Sequence, residues 1–290
     1  MEYERKVEPI GRELVRWLLP RRDPEGHKGT FGKVLCLCGS VGYTGAPVFA
    51  SRGAVRSGAG LVFLGVPESI WPVAAVKSDE AMPFPLPEAE GRLSLLAEET
   101  IRRRAAGCDA VLLGCGLGRG RQTDALVRRL MDLPQPLVLD ADGINALAGH
   151  MDEWERRRGR VTVLTPHEGE FLRVGGDLSQ GRTAAEDFAR RSGAVVVLKG
   201  PGTVVAGPDG RCRVNTTGNC GMAKGGSGDV LSGVVLALLG LGMDAFDACC
   251  CAVWLHGRAG DLAAQEKGQW GMTPTDLLER LPQALREVTE

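Results

Sequence analysis

The chain has 290 residues with a formal net charge of -1, its 35 Lys and Arg interspersed with 36 Asp and Glu. That length admits one large α/β domain or two medium ones, and either buries a sizeable core. Interspersed charge excludes the polyelectrolyte signature of nucleic-acid and anionic-membrane binders, so neither partner is expected and a small molecule is the default.

The opening segment Met1–Gly26 carries acidic residues where a signal peptide is basic, and its apolar stretch is too short to export or span. A helix is expected over about 8–20, followed by a core over about 25–288. No later window reaches the ~20 apolar residues of a membrane helix, and the chain is read as cytoplasmic. No linker or charge block divides it, so residues 1–290 are expected to form one domain. Short Val/Leu-rich runs alternating with helical periods predict an α/β fold, a mostly parallel, doubly wound sheet. In chain order the strands are Lys33–Cys38, Gly60–Val66, Ala110–Gly114, Pro136–Leu139, Arg160–Leu164 and Ala194–Lys199, then a hairpin of Thr203–Gly207 and Cys212–Asn215 around Pro-Asp-Gly. The helices are Ala46–Ser57, Leu93–Ala106, Thr123–Met131, Thr183–Ser192, Val230–Leu239, Ala245–Gln265 and Pro274–Glu287. The proline-rich stretch Met82–Gly91 reads as an irregular loop. The nine cysteines, among them the run Cys249–Cys251, sit largely in apolar surroundings without paired C-x-x-C spacing; they read as buried thiols, with no protein-held metal expected.

Ligands of such sheets bind beyond the carboxyl ends of the strands, so residues just after each run are the candidates. Gly45 and Ala46 open a helix of small residues, fit either for a ligand lying on the helix end or for close helix–sheet packing. Gly114-Cys115-Gly116-Leu117-Gly118 lacks the third glycine of a dinucleotide fingerprint at the right spacing and reads as a strand-to-helix turn under a passing ligand. Asp140, Asp142 and Asn145 follow the next strand, either as ligands to a ribose, a metal or the reacting group, or as turn and cap residues. His167, Glu168 and Glu170 end another strand, with His167 expected at the exposed edge; His256 lies in an apolar run and is assigned to the core. Lys199-Gly200-Pro201-Gly202-Thr203 offers a cation and a hydroxyl to a polyphosphate, or a plain Pro-Gly turn.

The strongest signal is Gly225-Gly226-Ser227-Gly228-Asp229, which runs straight into the helical pattern Val230, Leu231, Val234, Val235, Leu238. Glycines turn backbone N–H groups toward a ligand and a helix N-terminus carries partial positive charge, together an anion hole. Asp229 can accept a proton from a hydroxyl attacking a terminal phosphate there; the alternative is a helix cap above a tight turn. The same helix end is expected to keep Asp229 ionised at all times, a base by position and not by a raised pKa.

The segments HKGTFGKVLCLCGS, GAPVFASRGAVRSGAGLV, VLLGCGLG, LVLDADGINAL, LTPHEGEF, VLKGPGT and MAKGGSGDVLSGVV, in this order, resemble the ADP- or ATP-dependent NAD(P)H-hydrate dehydratases of the ribokinase-like superfamily, over about residues 25 to 280. The resemblance implies a three-layer αβα fold and repair of hydrated NADH or NADPH. The nucleotide would phosphorylate the 6-hydroxyl, and elimination of phosphate would restore the reduced cofactor. It implies Asp229 as the catalytic base, the amides of Gly225, Gly226, Ser227 and Gly228 holding the transferring phosphoryl group, and Lys199, Gly200, Pro201, Gly202, Thr203 and Asn219 completing the nucleotide site. Ala46, Gly116 and the span from His167 through Glu168 and Glu170 to Arg173 would touch the hydrate. ADP is the implied donor, with ATP as the alternative, and Mg²⁺ accompanies it. Ser227 stands where the family usually has threonine and keeps the hydroxyl. The family also implies a homotetramer and an epimerase supplied by a separate protein. Two other readings stand beside it: a superfamily kinase for a vitamin precursor, and a non-catalytic module that senses nucleotide by association.

Overall fold

A computed structural model describes residues 7–290. The acidic residues at positions 1–6 lie outside them. The strands are β1 (Glu8–Ile10), β2 (Lys33–Leu37), β3 (Leu61–Pro67), β4 (Met82–Leu86), β5 (Glu88–Ala89), β6 (Arg92–Leu93), β7 (Ala110–Leu113), β8 (Leu137–Leu139), β9 (Thr162–Leu164), β10 (Val195–Leu198), β11 (Val204–Ala206) and β12 (Cys212–Asn215). The helices are α1 (Arg12–Leu18), α2 (Ala46–Arg56), α3 (Trp71–Lys77), α4 (Glu98–Ala105), α5 (Arg121–Leu130), α6 (Asp142–Asn145), α7 (Glu168–Arg173), α8 (Ala184–Ser192), α9 (Ser227–Gly240), α10 (Ala245–Gly271) and α11 (Pro274–Thr289).

Ten strands form one sheet in the order β1-β12-β11-β10-β9-β8-β7-β2-β3-β4, parallel except where β11 pairs antiparallel with β10 and β12. Alternate residues point to opposite faces, and both faces are covered. Val34, Cys36, Val62, Leu64, Leu112, Val138 and Val163 pack under α2, α9, α10 and α11, while Leu35, Leu37, Val111, Leu113, Leu139 and Leu164 pack under α4, α5 and α8. That double burial is why the strands read as unbroken apolar runs.

The chain first builds outward from β2 to β3 and β4, then returns to the other side of β2 to build β7 through β10. The switch point therefore lies between β2 and β7, where a crevice opens beyond the carboxyl ends. There the Gly39 N–H donates to the Cys115 carbonyl at 2.8 Å, and the Ser40 hydroxyl to the Gly116 carbonyl at 2.8 Å.

Three expectations need correction. The stretch expected as an irregular loop after Ala81 holds the edge strand β4 and a β5–β6 hairpin; its prolines are tolerated because an edge strand leaves one row of N–H positions unpaired. The expected helix over 8–20 is a strand, Glu8–Ile10, on β12 and then a shorter helix, Arg12–Leu18. The helix expected from Leu93 starts at Glu98, after one 3-10 turn. Of the nine cysteines seven are buried, but Cys220 is exposed and Cys212 half-buried. Among the described residues no helix is long and apolar enough to cross a membrane.

Candidate active site at the switch point

Gly226 turns the chain into α9 with φ of 105°, a conformation that strains any residue with a Cβ; such an atom would also meet the Phe49 ring at 2.7 Å. Ser227 N–H returns to the Lys224 carbonyl at 3.2 Å and Val230 N–H to that of Gly226 at 3.1 Å. The first-turn amides of Gly228 and Asp229 have no helical acceptor and point outward, as helix starts require. A Cβ on Gly225 would meet nothing within 4 Å, and one on Gly228 only the Lys199 ammonium at 3.4 Å. The expected anion hole is thus open to a ligand and has a cation at its side.

The start of α9 is held from behind. His256, buried on α10, places Nε2 2.8 Å from the Ser227 carbonyl, which it donates to as a neutral imidazole. Burial pushes its pKa down to about 4, against the pull of that bond. From the side, Gly53 on α2 abuts the Val230 carbonyl, and Gly233 on α9 abuts the Ala50 carbonyl. The small residues of α2 therefore serve close packing, which also brings Ala46 to the crevice: a Cβ on Gly116 would lie 2.8 Å from that of Ala46.

The strand ends supply a buried polar cluster. Lys199 Nζ lies 2.9 Å from Asp140 Oδ1 and 3.8 Å from Glu170 Oε2. Ser232 on α9 donates to Asp140 Oδ2 at 2.8 Å, and Thr165 is 3.3 Å from Ser232. Burial alone would raise the Asp140 pKa, but the Lys199 charge and these bonds hold it below the usual carboxylate range. Lys199 responds reciprocally: burial works against its charge, and Asp140 and Glu170 outweigh burial and raise its pKa. Asp229 stands apart. Burial first, then the neighbouring charges of Asp140 and Asp142, push it up to about 7, although a bond from Cys115 and the Lys199 charge pull the other way. The expectation of an always-ionised base is thereby corrected: the helix dipole is outweighed by desolvation and a second, permanently charged carboxylate.

The remaining candidates form a connected edge. Asp142 Oδ2 accepts from the Gly118 N–H at 2.8 Å, Asn145 lies 3.4 Å from Asp142, and Arg173 donates to Asn145 Oδ1 at 2.6 Å. Ala141, between the two aspartates, has φ of 47°, a strained value for a residue with a Cβ. His167 is half exposed; its Nδ1 accepts from Gly169 and Glu170 N–H, while the buried Glu170 carboxylate accepts from the His167 N–H at 2.9 Å, so both close the start of α7. Glu168 is exposed beside them. In the Lys199–Thr203 turn the Thr203 hydroxyl donates to the Gly200 carbonyl at 3.0 Å, Gly202 has φ of 71°, and Pro201 is exposed. Asn219 caps a 3-10 turn through Gly221 and donates to Asp261 at 3.0 Å, which ties the loop before the anion hole to α10.

Cys115, Thr165, Lys224 and Ser232 lie within segments singled out from the sequence but received no individual role there, and Asp261 was not singled out. Ser232 carried one signal, its position one turn after Asp229 on the same helix; Asp261 carried none. The family-like HKG segment lies at the opposite, amino-terminal edge of the sheet, where the Lys28 carbonyl abuts Gly60. A cavity of about 630 Å³ between the carboxyl-terminal ends of α2 and α9 and helix α11 is likewise remote from Asp229.

Cys115, Asp140 and Asp229 place ligand atoms within 4.8 Å of one another. Their chemistry does not suit Mg²⁺, which takes an octahedron of oxygens. One donor is a thiol, and both oxygens of Asp140 are committed to Lys199 and Ser232.

The three-layer αβα fold is that of a ribokinase-like protein from Enterococcus faecalis, which superposes with a TM-score of 0.85 at 22% identity over 100% of this chain and 99% of that one. Residues 34–283 match the family model described as NAD(P)H-hydrate dehydratase. The chain is 37% identical over 278 residues to the ADP-dependent (S)-NAD(P)H-hydrate dehydratase of Bacillus subtilis, covering 93% of this chain and 95% of that one. A solved structure of the ADP/ATP-dependent NAD(P)H-hydrate dehydratase from Bacillus subtilis, co-crystallized with ATP/Mg²⁺, superposes with a TM-score of 0.81 at 32% identity, over 98% of this chain and 99% of that one. The bifunctional NAD(P)H-hydrate repair enzyme Nnr of Moorella thermoacetica is 43% identical over 279 residues, 94% of this chain and 52% of its own length, so the chain spans about half of that relative. The chain belongs to the NAD(P)H-hydrate dehydratase family.

Proposed function

We propose that the chain is an ADP-dependent (S)-NAD(P)H-hydrate dehydratase acting at the start of α9. The observation that carries this is the Asp229 carboxylate directly beyond the open amides of Gly225–Gly228, facing Cys115 and Asp140 across the switch point. The terminal phosphate of the nucleotide rests on those amides with Lys199 beside them, and Lys199–Thr203 and Asn219 border the nucleotide. The hydrated nicotinamide ring lies against Ala46 and Gly116, with Asp142, Asn145, His167, Glu168, Glu170 and Arg173 along its edge.

The substrate hydroxyl gives its proton to Asp229 while its oxygen bonds to the terminal phosphorus, and the bond from that phosphorus to the bridging oxygen breaks, leaving AMP from ADP. The ring carbon–oxygen bond then breaks with its electron pair leaving on phosphate, and the neighbouring ring carbon loses a proton to close the double bond. Phosphate is a far better leaving group than hydroxide, which is the reason for spending a nucleotide. Mg²⁺ enters this reading as a companion of the nucleotide phosphates, since Cys115, Asp140 and Asp229 do not offer it a set of free oxygens. A homotetramer and an epimerase supplied by a separate protein complete the reading on family likeness, and a cytoplasmic location and a single domain complete it on the sequence pattern.

The test is to incubate the protein with hydrated NADH and Mg²⁺, offering ADP and ATP separately. Regained absorbance of reduced nicotinamide with free phosphate is expected, faster with ADP. No regeneration with either nucleotide overturns the reading, and a stable phosphorylated product would assign a small-molecule kinase instead.

A further inference from the structure

We propose that Asp140 and Cys115 are positioning residues for Asp229: Lys199 and Ser232 hold Asp140 as the carboxylate that stays charged, and the Cys115 thiol donates to Asp140 beside Asp229, so that Asp229 is the one that takes the proton. The inference rests on the site reading above but concerns groups that need not touch the substrate.

The geometry separates two chemically identical side chains. Asp140 is buried and has both oxygens engaged, Oδ1 by the Lys199 ammonium at 2.9 Å and Oδ2 by the Ser232 hydroxyl at 2.8 Å. A proton on Asp140 would have to displace the Lys199 ammonium from Oδ1 or reverse the Ser232 hydroxyl at Oδ2. Asp229 has neither partner and is half-buried at the start of α9. Two carboxylates this close do not both ionise readily, so the charge locked on Asp140 makes Asp229 the proton acceptor. The Cys115 thiol donates to Asp140 Oδ2 at 3.5 Å, and its sulfur and a carboxylate oxygen of each aspartate all lie within 4.8 Å of one another. The neighbouring Cys38 thiol, then burial and the nearby carboxylates, raise the Cys115 pKa well above its ordinary value, so the thiol keeps its proton and remains a donor. It stands beside both carboxylates, and it comes from the end of β7 at the switch point.

The charged and titratable groups facing Asp229 are Asp140 beyond β8, Asp142 on α6, Cys115 beyond β7 and Lys199 at β10; Glu170 on α7 acts through Lys199, and His256 on α10 faces the Ser227 carbonyl one turn away. Of these, Asp140 is the nearest negative charge in effect and the one with a cationic lock. Asp229 itself is pushed up to about 7.

The experiment follows Asp229 without substrate, by carbon-13 NMR of carboxyl-labelled aspartate, with Asp229→Asn to assign its resonance. In the wild-type protein the Asp229 carboxyl is expected to titrate near neutrality. In Asp140→Asn its midpoint falls by at least one pH unit, and in Ser232→Ala, which keeps the Asp140 charge, it moves by much less. The acidic limb of the kcat profile for hydrated NADH follows the same shift, with KM for ADP changed less than threefold. Cys115→Ala lowers kcat about tenfold, and Cys115→Ser, which keeps a hydrogen-bond donor, restores most of it. An Asp229 midpoint in the ordinary carboxylate range, or one that does not move in Asp140→Asn, overturns the proposal. So does a loss in Asp140→Asn or Cys115→Ala confined to KM for ADP, which would place these residues on the nucleotide. If the midpoints behave as expected while no hydrate is turned over, the dehydratase reading fails and the positioning network stands.

Discussion

On one face of the sheet α2 and α9 meet backbone to backbone, Gly53 against the Val230 carbonyl and Gly233 against that of Ala50. On the other face the helices stand off on large side chains: Phe188 packs with Phe171 at 5.2 Å between ring centres and edge-on to Trp154 at 6.2 Å. That second face is closed by arginines. Buried Arg157 donates to the carbonyls of Leu133, Gln135 and Val161, and Arg102 and Arg129 converge on Glu98 at the surface. The difference shows where precision is needed. Backbone contact through glycine leaves no rotamer freedom, so the helix carrying Asp229 is fixed to within the tolerance of its chemistry. The aromatic and arginine face carries stability and none of the reacting groups.

Changes on each face should therefore separate activity from stability. The largest effect is expected for Asp229→Asn, a fall of ~10²–10⁴-fold in kcat with ADP binding retained by calorimetry. The same variant should be more stable than wild type at pH 8, because a carboxylate whose folded pKa is raised opposes folding once ionised. That gain should shrink as pH falls through about 7 and vanish below the ordinary range near 4. A melting temperature unchanged at pH 8 would contradict the raised pKa. Next comes Arg157→Leu, which removes a buried side chain that donates to the Leu133, Gln135 and Val161 carbonyls and to Thr162, and is expected to cost ~3–5 kcal/mol by urea unfolding while leaving kcat unchanged at temperatures where the protein is folded. Lost kcat there would break the division between the faces. Gly233→Ala should cost ~1–3 kcal/mol and also lower kcat, since its methyl can be housed only by moving α9 from α2. A stability loss without a loss of rate would show that Asp229 tolerates the shift. Smallest is Glu98→Gln, under ~1 kcal/mol and without effect on rate, as surface pairs usually are.

Much of this organisation was legible beforehand. Each strand from β2 to β12 in the main sheet except β4 was found within a residue or two, because burial on both faces writes a run of Val and Leu that needs no partner to be recognised. The Gly225–Asp229 turn was legible for the same local reason: glycine and a helix start are neighbours in the chain. The edge strand β4 was missed because its prolines argue against any strand, and only its place at the sheet margin makes them harmless. Small residues along α2 were read equally as a ligand shelf or a packing face, and Gly53 shows the second while Ala46 leaves the first in place.

What sequence alone determined is the set of strand ends, the helix start and the residues standing there, since each depends on a few neighbours along the chain. Only the tertiary structure decided what those residues do to one another. Asp140 and Lys199 are 59 positions apart, and Asp140 and Ser232 are 92 apart. Nothing local pairs them: the parallel sheet brings the ends of β8 and β10 to one edge with β9 between them, and α9 carries Ser232 to Asp140. The protonation of Asp229 follows from that pairing: a helix start by itself favours the ionised carboxylate, and burial beside a second, locked charge reverses the preference.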